Sequence, residues 1–182
     1  MKLLLYCTKA KPYLTMTTDF VSFKHFDCYN EDLGCLNGKI VGECDFEVER
    51  IIYRETDKNN YSFGTETLTP DELLDKSCLT TLELCKYIGS NPNWTKGDYG
   101  YAIHIKNLHI FDKPRELSEY SKLTGDYFQP LDKAPQNMMR CDNLKNIFET
   151  YIVISIRPDW LYQILNGKKT IEVRKKVLRR ML

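Results

Sequence analysis

Two dozen residues near the C-terminus, Ile152–Lys175, constrain the fold most. They read IVISIRPDWLYQILNGKKTIEVRK. Tyr151–Ile156 is an apolar strand. Pro158 opens a short helix to Leu165, since proline at the first helical position gives up an N–H that has no partner there anyway. Gly167 stops it, and Thr170–Arg174 is a second, charged strand. Apolar and polar residues alternate in that strand: Thr170, Glu172 and Arg174 take one face, Ile171 and Val173 the other. A strand, a helix and a strand this close together must pack against more sheet.

The rest of the chain supplies that sheet. Lys2–Thr8 is short, apolar and strand-like. In Lys39–Arg54, Cys44, Phe46 and Val48 alternate with Asp45, Glu47 and Glu49, the period of a strand with one wet face. Gly42 marks a bulge. Tyr101–Phe111 is a second long strand. Leu68–Gly89 is helical, with Thr69-Pro70-Asp71-Glu72 as its start and a second start at Thr80, three residues before Glu83. Thr56–Pro70 and Thr124–Asn146 read as loops, Asp112–Tyr120 as a proline turn with a short helix, and Lys9–Asn37 as a long loop or insertion. Several long strands with few helices predict a mainly β, α+β fold: a pseudo-β-barrel decorated with helices.

Composition bounds the function classes. The chain has 182 residues and a net charge of +1, enough for one domain with a sizeable core and too evenly charged to steer nucleic acid as a whole. The basic charge is gathered at one end. Residues 167–182 hold seven Lys and Arg against Glu172 alone, and the remainder is mildly acidic. That end is either a phosphate-binding surface or a solvated tail. The seven cysteines form no C-x-x-C, so they read as reduced small hydrophobes in a cytoplasmic protein. No apolar run is long enough for a spanning helix or a secretory signal. Neither a phosphate loop nor a dinucleotide glycine pattern is present. His104 and His109, five apart on a regular strand, point to opposite faces and make no metal pair. No metal or cofactor is expected.

Lys169, Glu172 and Arg174 are the residues with chemistry to offer. A lysine and an arginine flanking a glutamate can bind a phosphate while the carboxylate accepts from a base or a hydroxyl. The same three can also close a barrel end as an ion pair. Tyr6 and Trp160 are either stacking surfaces or core.

The stretch resembles the signature of the ASCH domain, a relative of the PUA domain of RNA-modifying enzymes. Gly167, Lys169, Glu172 and Arg174 meet its pattern G-x-K-x-x-E-x-R, and Ser155–Trp160 is similar to the usual approach to it. Leu4–Lys9, Asn37–Glu43, Tyr101–Tyr120 with its D-K-P-x-E-L turn, and Ala134-Pro135-Gln136 resemble further family elements. Such sequences are similar to small phage and prophage proteins. The resemblance implies a single ASCH/PUA-like domain over 1–182, in which the strand–helix–strand at 151–175 completes a barrel begun by 2–8, 39–54 and 101–111. The motif comes last here and first in the family. The order therefore reads as a circular permutation, or as a C-terminal segment swapped into a homodimer.

By resemblance, the motif lines a cleft for RNA or a modified nucleotide. Lys169, Thr170, Glu172, Arg174, Lys9 and Trp160 are then the binding residues. One branch of the family deacetylates acetylcytidine using a lysine and a threonine of the motif. Lys169 matches the lysine, but Glu172 stands where the threonine belongs. The alternatives are a nucleoside- or RNA-processing hydrolase, with Lys169 as base and Glu172 as proton partner, and a phage regulatory protein that works through protein contacts.

Overall fold

The computed structural model describes residues 1–8, 36, 38–57, 60–88, 100–124, 126–144, 146–178 and 181. Among the described residues the chain is mostly β with three helices, the expected α+β class. Its strands are β1 (Lys2–Cys7), β2 (Lys39–Asp57), β3 (Asn60–Gly64), β4 (Gly100–Glu116), β5 (Tyr120–Thr124), β6 (Tyr127–Pro130), β7 (Met138–Asn143), β8 (Asn146–Ile156) and β9 (Ile171–Arg174). The helices are α1 (Pro70–Ser77), α2 (Thr81–Ile88) and α3 (Pro158–Leu165). No helix among the described residues is long and apolar enough to cross a membrane.

The chain forms two compact units, Met1–Cys44 with Leu108–Tyr162, and Asp45–Asn107 with Gln163–Leu182. In the first unit β1 lies between β8, parallel to it, and β2, antiparallel. Leu3, Leu4 and Leu5 are fully buried, so both faces of β1 are covered. This is why the strand reads as an unbroken apolar run instead of an alternating one. β7, β5 and β6 continue outward from β8 by antiparallel pairing. Beside β1, the register of β2 slips between Leu5 and Tyr6, which face Gly42 and Ile40. The expected bulge therefore lies next to Gly42. A Cβ there would come within 2.6 Å of the His109 carbonyl oxygen, so only glycine fits. The core gathers Leu4, Tyr6, Ile40, Phe111, Tyr120, Cys141, Tyr151 and Val153.

The second unit holds the outer part of β2, paired with β3, and the first part of β4, paired with β9. Helices α1 and α2 pack here. Thr69 caps α1 through a reciprocal box with Glu72, and Thr80 does the same for α2 with Glu83. Between the helices Cys78 turns left-handed, with φ 53°, and splits what reads as one helical stretch into two. Ile51, Phe63, Leu73, Leu84, Ile88, Ala102, Ile171 and Val173 form the core.

Three loop readings are corrected. Residues 56–70 contain β3, which pairs with the long arm of β2. Residues 124–146 contain β6 and β7. All four residues of β6 are exposed, and in β7 the neighbours Cys141 and Asp142 are both buried, so neither strand alternates. Asp112–Glu116 stays in β4, and only Leu117–Glu119 makes a 3-10 turn. β4 is not regular: Asn107 has φ 47°, and its side chain donates to Asp45 at 2.8 Å. His104 and His109 therefore stand on either side of a break at Asn107 and not on one regular strand. The strands at 151–174 pair with β1 and β4 of this same chain. Most of the Lys9–Asn37 insertion, and Gly89 as a helix stop, lie outside the described residues.

Candidate functional site

The motif begins with a tight turn. Gly167 takes φ 77°, the left-handed conformation that glycine adopts without strain, and donates to the Ile164 carbonyl at 3.0 Å. The Lys168 amide donates to the Asn166 side-chain oxygen at 3.1 Å, and the Lys169 amide to Gln163 at 2.8 Å. The turn delivers two residues to the C-terminal end of α1. The Thr170 amide donates to the Lys76 carbonyl at 3.0 Å, and the Lys169 ammonium to the Ser77 carbonyl at 2.6 Å. The last carbonyls of a helix have no partner within it and carry the negative end of its dipole, so a cation belongs there.

β9 then carries the other two charges. Ile171 and Val173 pack into the core, which leaves Glu172 and Arg174 on the opposite face as the alternation predicts. The two oxygens of Glu172 serve different cations. Oε2 lies 3.4 Å from Lys169 Nζ, and Oε1 lies 2.9 Å from Arg174 Nη2. The end of the strand runs close to β4: a Cβ on Gly100 would stand 3.2 Å from the Arg174 carbonyl oxygen.

These charges are buried. Lys169 is 3% exposed, Glu172 7% and Arg174 9%. An ion taken out of water needs a well-placed partner, and Glu172 partners both cations. Burial pushes the Lys169 ammonium below the usual lysine range, and the Glu172 carboxylate opposes that shift. The expectation that the motif's three charges line an accessible cleft is therefore corrected: all three are buried and Glu172 pairs with both cations, with Lys169 also committed to the Ser77 carbonyl.

The remaining site residues divide. Thr170 is exposed and precedes β9. Trp160 is half-buried on α3, among the residues of the first unit. Tyr6, weighed as a stacking surface, is 7% exposed and belongs to a core. Lys9 lies outside the described residues.

Sequence reasoning missed the part played by Ser77. Its contribution is a backbone oxygen, which no residue type advertises. It also missed Glu49. One oxygen of that carboxylate accepts the Thr67 hydroxyl at 2.5 Å and lies 3.1 Å from His104 Nε2. Burial pushes the Glu49 carboxyl up, but hydrogen bonds from Thr65 and Thr67 outweigh it and hold the group below its ordinary value. The period-two pattern places Glu49 on the wet face of β2 and says nothing of these partners.

Compared with known proteins, the chain matches no family model, no curated protein and no solved structure.

Proposed function

We propose that this chain is an RNA- or nucleotide-binding protein of the ASCH/PUA-like kind, circularly permuted, whose contact runs along β9. The observation that carries the reading is the meeting of Lys169 and Arg174 on the two oxygens of one carboxylate, Glu172. Lys169 and Glu172 act as positioning groups. They fix the turn and the strand, and they orient the Arg174 guanidinium. A guanidinium presents five N–H donors in a planar fork whose geometry suits phosphate. Thr170 and the rim of Arg174 make the contact. Such a site orders the backbone of a nucleic acid without reading its bases.

Fluorescence anisotropy with a labelled single-stranded RNA tests this reading. Affinity should fall linearly with the logarithm of salt concentration. Arg174→Gln should lower that slope by about 0.7, the value for one phosphate contact on a single strand. Lys169→Ala should weaken binding through lost positioning, with a loss of stability measured alongside. A wild-type protein that binds no RNA at about 50 mM salt, where such contacts are strongest, overturns the proposal.

The burial and mutual pairing of the triad favour a second reading, in which it is an internal tie and the protein works through protein contacts. Glu172→Gln separates the two. It costs stability under both readings, but only under the first does it change the RNA affinity of the folded fraction. The lowered Lys169 ammonium is the one feature in favour of hydrolysis. Incubation with modified nucleosides and short RNAs, with Lys169→Ala as the control, tests that alternative.

A further inference from the structure

Past the buried triad, the end of β9 comes to the surface beside α2. Lys175 and Lys176 are exposed, and Lys175 Nζ lies 5.9 Å from the centroid of the Tyr87 ring. Tyr87 is 40% exposed, and Lys86 next to it is exposed as well. The ring's position is set from within, because its neighbour Ile88 is buried and reaches to 3.5 Å of where a Gly100 Cβ would stand. The acid on this helix, Glu83, is engaged at the other end, where its Oε2 accepts from the Thr80 amide at 2.8 Å. The result is an exposed aromatic ring with the Lys175 ammonium over it, and exposed Lys86 and Lys176 next in sequence to Tyr87 and Lys175.

We propose that Tyr87, Lys175 and Lys176 form a single-stranded RNA contact, in which a base stacks on the Tyr87 ring and the two ammonium groups take the flanking phosphates. This deepens, and rests on, the nucleic-acid reading of β9. Every base has a π-face, so an aromatic ring set among cations binds single strands with little regard to sequence. A lysine over the face of a ring is held there by the ring's quadrupole. When a base takes the face, the Lys175 ammonium moves to a phosphate. A duplex keeps its bases stacked on one another and presents no face to Tyr87, so the site prefers single strands.

The test uses the full chain and a labelled 12-residue oligo(U), oligo(A) and a duplex of equal length. Tyr87→Ala should lower single-strand affinity about tenfold and leave the salt slope unchanged. Tyr87→Phe, which keeps the ring, should restore wild-type affinity. Lys175→Ala with Lys176→Ala should lower the slope by about 1.4, the value for two phosphate contacts. If the wild type binds RNA while Tyr87→Ala and the double variant both retain its affinity and slope, this inference is overturned and the reading of β9 stands. Duplex bound as tightly as single strand also overturns it. A wild type that binds no RNA overturns both.

Discussion

The two units bury polar groups in different ways. The first shuts away mainly neutral weak acids, together with the carboxylate of Asp142, which accepts from the Thr150 hydroxyl at 2.8 Å. Tyr120 and Cys141 are at most 1% exposed, and Tyr6 and Tyr151 are each 7% exposed. Arg115, stacked 3.8 Å over Phe111, donates to the Tyr120 hydroxyl at 3.1 Å, and the Tyr151 hydroxyl donates to Glu149 at 2.6 Å. Burial pushes the phenols of Tyr6, Tyr120 and Tyr151 up and the Cys141 thiol up to about 12, so these groups stay uncharged. The second unit shuts away formal charges and holds them by pairing. A buried phenol needs one hydrogen bond, whereas a buried ammonium needs a counter-charge as well. The second unit, which shuts away Lys169, Glu172 and Arg174 together, should therefore depend more on single side chains than the first.

Glu172→Gln is the sharpest way to break that comparison. It removes the carboxylate from between two buried cations and should destabilise the protein by about 3–5 kcal/mol, read by urea denaturation. A loss no greater than that of a surface substitution would mean the two interiors do not differ in this respect.

The comparison sharpens at alkaline pH, because the two interiors respond with opposite signs. The Cys141 thiol ionises near 8.5 when unfolded and at about 12 when folded. Its contribution is complete below the first value and is lost as pH rises to the second, roughly 4–5 kcal/mol. Lys169 is shifted the other way. From its lowered native value up to about 10.4 the unfolded chain holds more protons, so its contribution rises with pH. Urea midpoints followed from pH 8 upward should fall less steeply in Cys141→Ala than in the wild type, and more steeply in Lys169→Met.

Smaller effects check the frame around the buried groups. Thr69→Ala removes the cap of α1 and should cost about 1 kcal/mol in thermal denaturation. Lys106 and Glu47 form an ion pair at 2.5 Å, but their side chains are 47% and 66% exposed. Lys106→Ala should therefore change stability by less than about 0.5 kcal/mol.

Elements fixed by local chemistry were legible in the sequence. Pro158 and Gly167 bound α3, Thr69 and Thr80 start α1 and α2, and the bulge lies beside Gly42. Elements fixed by their neighbours were not. β6 and β7 have no period of their own and become strands because another strand lies alongside, and β3 alternates over only five residues, Asn60–Gly64, in an otherwise polar stretch. In the site, alternation placed Glu172 and Arg174 on one face, and the spacing put Lys169 within their reach. The direction in which Lys169 points was hidden, because it is decided by the end of α1, more than ninety positions earlier in the chain, where a carbonyl oxygen awaits it.

The seat of Lys169 also makes it a reporter. An amine-reactive reagent modifies exposed lysines at once, but it can reach this one only while the turn is lifted off α1. The slow phase of its acetylation, followed by peptide mass spectrometry, would therefore time the breathing of β9.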